Sequence, residues 1–155
     1  MRTLWRISIY NDLRGIGGEK GDGRWHTAEH GKRIVYLSEH PALALIEVLV
    51  NLKGNPLLFP DRYQLMRVTV EDSVSAEEYR PSALPSNWME ELAVTREIGD
   101  KWLAEGRAAL LAVPSAACPD ATNYLLNPLH RDAPGVKVES LRWVTYDKRL
   151  FHVRP

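Results

Sequence analysis

Residues 33–51 read RIVYLSEHPALALIEVLVN, a β-type run followed by an apolar run of helical length. Between Ala42 and Val50 the only polar residue is Glu47, and Pro41 suits the first turn of a helix, where its missing N–H loses no partner. Residues three and four apart share a helical face, so apolar side chains surround this carboxylate. Because burying an unpaired carboxylate is costly, we expect either a permanent ion pair with an arginine or a polar cavity that opens onto Glu47.

The segment that precedes this stretch is rich in glycine. Residues 11–31 contain six glycines and few apolar residues, which predicts a functional or mobile loop too long for a simple turn. Its Gly23-Arg24-Trp25 sequence combines a backbone that can approach a ligand closely with a guanidinium that can bind an anion. No spacing in the loop matches a Walker or dinucleotide-binding fingerprint.

The rest of the chain alternates between strand-like and helix-like patterns. In the strand that begins residues 33–51, Ile34 and Tyr36 should share one face. The tryptophans of the second helix should lie in the core. We expect an α+β fold with a mixed, mostly antiparallel sheet and two or three flanking helices, in one domain that spans residues 1–155. Strands are predicted at 4–10, 33–38, 63–70, 108–113, 136–146 and 149–153, helices at 42–50 and 86–104 with a candidate break near Thr95, and a loop at 72–85.

Composition narrows the class of protein. Hydrophobic residues make up 45% and charged residues 26% of the 155 residues, as in an ordinary soluble globular protein. Twenty basic and twenty acidic residues balance, which argues against non-specific binding to nucleic acid or to a membrane surface. The single cysteine, Cys118, cannot form an internal disulfide. With no signal peptide or membrane-spanning run in the sequence, we expect a cytoplasmic protein.

Three kinds of catalytic site fit the sequence poorly. Ser115 and His130 could form a hydrolase pair, but no Gly-x-Ser-x-Gly elbow surrounds the serine. The five histidines show no His-Glu-x-x-His spacing, so no metal site is expected. Glycoside hydrolysis would need a second buried acid. The polar residues that remain are an acid, arginines, a tyrosine, a serine and an asparagine, which suit an anionic ligand that carries a sugar.

Several short motifs, in this order and spacing, resemble the RES domain toxins of bacterial toxin–antitoxin pairs. The resemblance covers nearly the whole chain. The motifs are Trp5-Arg6, Gly23-Arg24-Trp25, Val35-Tyr36, the run ALALIEVL that begins at Ala42, Val113-Pro-Ser115, Asn123-Tyr-Leu-Leu-Asn127-Pro-x-His130, and Asp147-x-Arg149-Leu-Phe151.

The resemblance implies a compact ADP-ribosyltransferase-like fold and a type II toxin that consumes NAD as its substrate, with no bound cofactor. It places Arg6, Arg24, Tyr36, Glu47 and Ser115 at active-site positions, while His26 stands where many members have asparagine. Glu47 would stabilise the cation that forms when the nicotinamide–ribose bond breaks. The two arginines would clamp the pyrophosphate, Tyr36 would stack on or orient the nicotinamide, and Ser115 with Asn123 would position the ribose or the amide.

Partners also follow from the resemblance. A cognate antitoxin with a helix-turn-helix DNA-binding domain is expected, in a hetero-oligomer in which the antitoxin blocks the NAD cleft. Water, phosphate or an intracellular protein could accept the ADP-ribose, and the short neutral chain favours a small acceptor. The alternative function is a non-catalytic module that binds a nucleotide or a partner, and the alternative role for Glu47 is a structural ion pair.

Overall fold

The computed structural model of the protein describes residues 1–52 and 60–151. Within them seven strands form a single sheet in the order β4-β5-β6-β2-β1-β3-β7. All neighbouring strands are antiparallel except β4 and β5, which confirms the expected α+β fold. The strands are β1 (Arg2–Ile7), β2 (Val35–Ser38), β3 (Arg62–Val70), β4 (Ala76–Glu78), β5 (Leu110–Pro114), β6 (Thr122–Leu126) and β7 (Val136–Thr145), and the helices are α1 (Pro41–Asn51) and α2 (Leu92–Glu105).

Two apolar clusters cover the opposite faces of the sheet. Alternation along the strands separates them as predicted, since Val35 and Leu37 enter one cluster while Ile34 and Tyr36 pack in the other. The valine-rich cluster consists of Leu4, Val35, Leu37, Met66, Val68, Val70, Leu110, Leu126 and Val136. The tryptophan cluster consists of Trp25, Ile34, Leu84, Trp88, Trp102, Leu111, Val113 and Leu125. The predicted core role of the tryptophans in the second helical segment is thus confirmed.

The two helices begin and end largely as their sequences predict. Pro41 occupies the first turn of α1, and the side chain of His40 accepts a hydrogen bond from the N–H of Ala42 at 3.1 Å. Gly106 ends α2 in the left-handed conformation with a φ of 58°. None of the helices among the described residues is long and apolar enough to cross a membrane.

Four local predictions were wrong. Strand β6 was not predicted. Leu125 and Leu126 are buried on opposite faces of this interior strand, so apolar and polar residues alternate only weakly in its sequence. Strand β4 lies in the predicted loop 72–85, where its parallel pairing with β5 overrides a polar sequence. Residues 86–90 are turns, and α2 begins only at Leu92. Lys148–Phe151 forms a 3-10 turn instead of a strand, and the remainder of that predicted strand lies outside the described residues. Gly54, Asn55 and Pro56, which predict the end of α1, also lie outside them.

The candidate break in α2 is absent. Thr95 is fully buried, and its hydroxyl donates both to the carbonyl of Leu92 at 3.1 Å and to the carbonyl of Arg24 at 2.6 Å. A threonine inside a helix is tolerated when its hydroxyl finds a carbonyl acceptor of this kind. The residue that suggested a break therefore fastens the helix to the glycine-rich segment.

Candidate active site

The candidate site lies at one end of the sheet face that carries the tryptophan cluster. Register places Tyr36 opposite Leu125 and Ser38 opposite Asn123, and Val113 of β5 also pairs with Asn123. On this face each strand therefore carries a polar residue two positions from an apolar or aromatic one, at the same end of the sheet. Ser115, two residues beyond Val113, continues this row just past the end of β5.

Glu47 of α1 projects into this polar row. Its Oε1 atom accepts hydrogen bonds from the Ser115 hydroxyl at 2.7 Å and from the Asn123 amide at 2.6 Å. Asn123 is fixed in turn, because its Oδ1 accepts a hydrogen bond from the Ser38 hydroxyl at 2.8 Å. Among the described residues, none donates a hydrogen bond to the other carboxylate oxygen of Glu47.

No cation neutralises Glu47 within the part of the chain that the structure describes. Neither Arg6 nor Arg24 forms an ion pair with it, and the Nη1 atom of Arg6 donates to the carbonyl of Asp12 at 2.6 Å. Of the two expectations for Glu47, the geometry therefore matches the polar cavity rather than the permanent ion pair.

A cavity of about 610 Å³ opens onto Glu47, which is within the range of sites that hold drug-sized or cofactor-sized molecules. Its walls come from the end of β1, the glycine-rich loop, β2, α1 and the start of β6. The polar lining residues that matter for ligand chemistry are Arg6, Asp22, Arg24, His26, Tyr36, Glu47 and Asn123.

Two arginines line this cavity without a carboxylate partner among the described residues. The Nη1 atom of Arg24 is buried and has no hydrogen-bond partner, while the guanidinium carbon lies 6.0 Å from the ring centroid of Trp88. Burial lowers the pKa of Arg6 to about 10, an effect that the nearby charge of Asp12 only partly opposes. An anion in the cavity would offset the charge of these guanidinium groups.

Tyr36 contributes an aromatic ring to the cavity wall. Its hydroxyl accepts a hydrogen bond from the N–H of Trp25 at 3.1 Å and lies 2.8 Å from Nδ1 of His26. Burial raises the pKa of the phenol well above its ordinary value, so the side chain stays neutral at physiological pH.

Helix α2 holds the loop that carries Arg24. Thr95 binds the carbonyl of Arg24, and Nε of Arg96 donates to the carbonyl of Gly23 at 2.9 Å. Asp100 accepts from the N–H of Thr27 at 2.9 Å and from Nζ of Lys32 at 3.0 Å. Burial alone would raise the pKa of Asp100, but these hydrogen bonds lower it below its ordinary value. The loop predicted to be functional or mobile is thus held by α2 where it lines the cavity.

The family to which the chain belongs follows from comparison with known proteins. The model of the RES domain family matches residues 3–147. The chain belongs to the RES domain family. A protein of Pseudomonas putida called Toxin Res is 43% identical over 148 residues, which cover 96% of this chain and 99% of that protein. A Prs ADP-ribosylating toxin of a Sphingobium species is 39% identical and covers 96% of both chains.

A solved structure has the same fold as this RES domain. A chain in the crystal structure of the M. tuberculosis MbcT–MbcA toxin–antitoxin complex superposes with a TM-score of 0.74, covering 97% of this chain and 86% of that chain. The sequence identity is 16%, so the likeness establishes the fold alone. The recognition of a RES domain toxin from short motifs is confirmed.

Five of the six site residues predicted for this RES domain line one cavity: Arg6, Arg24, Tyr36, Glu47 and Asn123. Ser115 is the exception, since it is 3% exposed and its hydroxyl donates to Glu47. Sequence reasoning missed Ser38, which holds Asn123, and the α2 residues that hold the loop. Ser38 follows Tyr36 by two positions on the same strand face, so alternation could have identified it, whereas the α2 contacts have no local signal.

Proposed function

We propose that this RES domain is the toxin of a type II toxin–antitoxin pair and consumes NAD, breaking the bond between nicotinamide and ribose and passing ADP-ribose to an acceptor. The observation that carries the proposal is the carboxylate of Glu47, which two donors hold at Oε1 and which faces the cavity without an ion pair to any described residue.

The charges that line the cavity support a ligand with charges of both signs. Asp22 is within 3.8 Å of Nη1 of Arg96 and is therefore offset by it. Arg6, Arg24 and Glu47 line the cavity without an ion pair to any described residue. NAD carries a doubly negative pyrophosphate and a positive nicotinamide ring. The pyrophosphate would lie against the two arginines, and the nicotinamide end would lie near Glu47.

The chemistry assigned to Glu47 is electrostatic. As the bond from the ribose C1′ to the nicotinamide nitrogen breaks, its electron pair leaves with neutral nicotinamide, and positive charge develops on the ribose. A fixed carboxylate stabilises that charge mainly in the transition state, which is where an interaction accelerates a reaction. The hydrogen bonds from Ser115 and Asn123 hold the carboxylate in place, so little reorganisation is needed when the charge appears.

The acceptor then attacks C1′. Water would give ADP-ribose and a proton, phosphate would give a phosphorylated ADP-ribose, and a protein side chain would give an ADP-ribosylated protein. The relative from Sphingobium, named as a Prs ADP-ribosylating toxin, supports a protein acceptor, whereas the short neutral chain supports a small one. Product analysis distinguishes these outcomes.

An antitoxin partner belongs to the same proposal. The structural relative comes from a toxin–antitoxin complex, and a partner with a helix-turn-helix domain would supply the DNA binding that a chain of zero net charge lacks. Blocking the NAD cavity is the simplest way for such a partner to neutralise the toxin.

The direct test incubates pure protein with NAD and follows free nicotinamide by chromatography, alone, with phosphate, and with cell extract. Binding of NAD is measured separately by calorimetry. We expect nicotinamide release in at least one of the three mixtures. Tight binding of NAD without nicotinamide release in any mixture would instead support a non-catalytic nucleotide-binding module.

A further inference from the structure

His26 is buried beside the cavity with both ring nitrogens engaged. Its side chain is 2% exposed. Nδ1 lies 2.8 Å from the hydroxyl of Tyr36, and Nε2 lies 3.0 Å from the carbonyl oxygen of Gly18. His26 thereby bridges β2 to the short turn Ile16–Glu19, and Gly18 itself lines the cavity.

The chemistry of the two partners fixes the tautomer of a neutral His26. A carbonyl oxygen only accepts hydrogen bonds, so Nε2 carries the hydrogen and donates it to Gly18. Nδ1 then has a lone pair, and the hydroxyl of Tyr36 donates to it. The oxygen of Tyr36 also accepts from the N–H of Trp25 at 3.1 Å, so the hydrogen bonds run in one direction from Trp25 through Tyr36 to His26.

This arrangement leaves the Tyr36 hydroxyl without a free hydrogen for a ligand. The hydrogen points to His26, and Trp25 occupies one oxygen lone pair. Space around the oxygen is also restricted, because a Cβ atom at Gly23 would overlap both the Tyr36 oxygen and Nδ1 of His26. What Tyr36 offers to the cavity is the ring.

We infer that His26 is a positioning residue: its Nδ1 atom fixes the hydroxyl of Tyr36, so that the face of the tyrosine ring receives the planar nicotinamide end of the substrate. The inference rests on the proposed function for the identity of that substrate. It adds a role for the histidine and narrows the role of Tyr36 to stacking rather than proton donation.

Two substitutions separate the two hydrogen bonds of His26. In His26→Asn the side-chain oxygen falls near the position of Nδ1, so it can accept from Tyr36 but cannot reach Gly18. In His26→Gln the amide nitrogen falls near the position of Nε2, so it can donate to Gly18 but leaves the Tyr36 hydroxyl without its acceptor. The two variants differ in which partner is lost, while both remove the ring.

We expect His26→Asn to keep kcat/KM for NAD within about threefold of the parent, and His26→Gln to raise KM by about tenfold or more with a smaller change in kcat. His130 provides the matched control, because its side chain is 7% exposed and its Nδ1 accepts from the N–H of Asp132 at 3.1 Å, away from the cavity. His130→Asn and His130→Gln should leave KM unchanged. The inference would be overturned if both His26 variants lost kcat/KM equally and only in proportion to their loss of folded protein.

A second measurement depends on neither folding of the variants nor turnover. Nitrogen NMR of the ¹⁵N-histidine-labelled parent protein at neutral pH should show His26 with a protonated Nε2 and an unprotonated Nδ1. The opposite tautomer, or a ring that exchanges between both, would overturn the inference. If the parent released no nicotinamide, the proposed function would fail, but the tautomer and the NAD dissociation constants of the two His26 variants would still decide this inference.

Discussion

At the residue scale, the two oxygens of Glu47 have different surroundings. Oε1 accepts two hydrogen bonds, from Ser115 and Asn123, whereas Oε2 receives none from the described residues. A half-buried acid that served only stability would be expected to pair with a cation or to use both oxygens in hydrogen bonds. The asymmetry leaves one oxygen for a ligand in the cavity.

The contacts of Ser115 predict that it acts through Glu47 rather than on the substrate. Its oxygen accepts from the N–H groups of Ala117 at 3.2 Å and Cys118 at 3.0 Å, while its hydrogen goes to Glu47. Ser115→Ala should therefore lower the free energy of unfolding by about 1–3 kcal/mol, because buried donors lose their acceptor. Turnover should fall, but KM for NAD should change little.

Urea unfolding and steady-state kinetics measure these effects, and Ser140→Ala, at an exposed position of β7, is the control. The contact with the ribose or the amide that the resemblance implies for Ser115 predicts the opposite effect, a higher KM for NAD with unchanged turnover. A large rise in KM with turnover preserved would restore that contact and contradict the positioning role.

Arg24 has a buried Nη1 donor that the protein leaves without a partner. A charge-assisted hydrogen bond to a pyrophosphate contributes about 1.5–3 kcal/mol, so Arg24→Ala should weaken NAD binding by about tenfold to a hundredfold. Stability should be unchanged or slightly higher, since an unsatisfied donor is removed. Arg24→Lys should recover little affinity, because it lacks the planar fork.

Calorimetry with NAD and thermal unfolding test this pair of effects. Arg80→Ala is a suitable control, because Arg80 is an exposed arginine that pairs with Glu78 at 3.1 Å. An Arg24→Ala protein that bound NAD normally but melted much earlier would make Arg24 a structural residue.

At the scale of elements, α2 and the segment 22–27 approach each other closely at Gly99. A Cβ atom there would overlap the carbonyl oxygen of Trp25. Gly99→Ala should lower the free energy of unfolding by about 1–3 kcal/mol by overpacking, although alanine favours helix more than glycine does. NAD affinity should fall with it, because Arg24 and His26 flank Trp25.

Gly21→Ala is the matched control, since no heavy atom lies within 4 Å of the added Cβ. Urea unfolding and NAD titration of both variants give the comparison. If Gly99→Ala were as stable and bound NAD as well as Gly21→Ala, the close approach would have no role in holding the loop.

Local sequence signals identified some elements and failed for others for physical reasons. Helix α1 and the faces of β2 follow from periodicity, because the pattern of burial repeats within a few residues. The α2 contacts Thr95–Arg24 and Asp100–Thr27 join residues more than seventy positions apart, so no local pattern encodes them. The residues of the site were found mainly through the resemblance, and their hydrogen bonds, such as those of Ser115, required the structure.

At the scale of the whole molecule, the proposed toxin should stop growth when it is produced alone in a bacterial host. Growth should recover when a cognate antitoxin is produced with it, and cells that make Glu47→Gln at the same level should grow normally, because the protein folds but lacks the charge that the reaction uses. Growth curves with matched protein levels provide the measurement. Unimpeded growth at high levels of the parent protein would count strongly against a toxin.

Turnover of Glu47→Gln, set beside its stability, tests most directly whether Glu47 provides the charge that cleaves NAD. The glutamine oxygen can still accept from Ser115 and Asn123, and no ion pair with a described residue is lost, so the melting temperature should be unchanged or higher. Nicotinamide release should fall by about a hundredfold or more, while the NAD dissociation constant should change much less. A folded Glu47→Gln protein that released nicotinamide at the parental rate would contradict the catalytic role of Glu47.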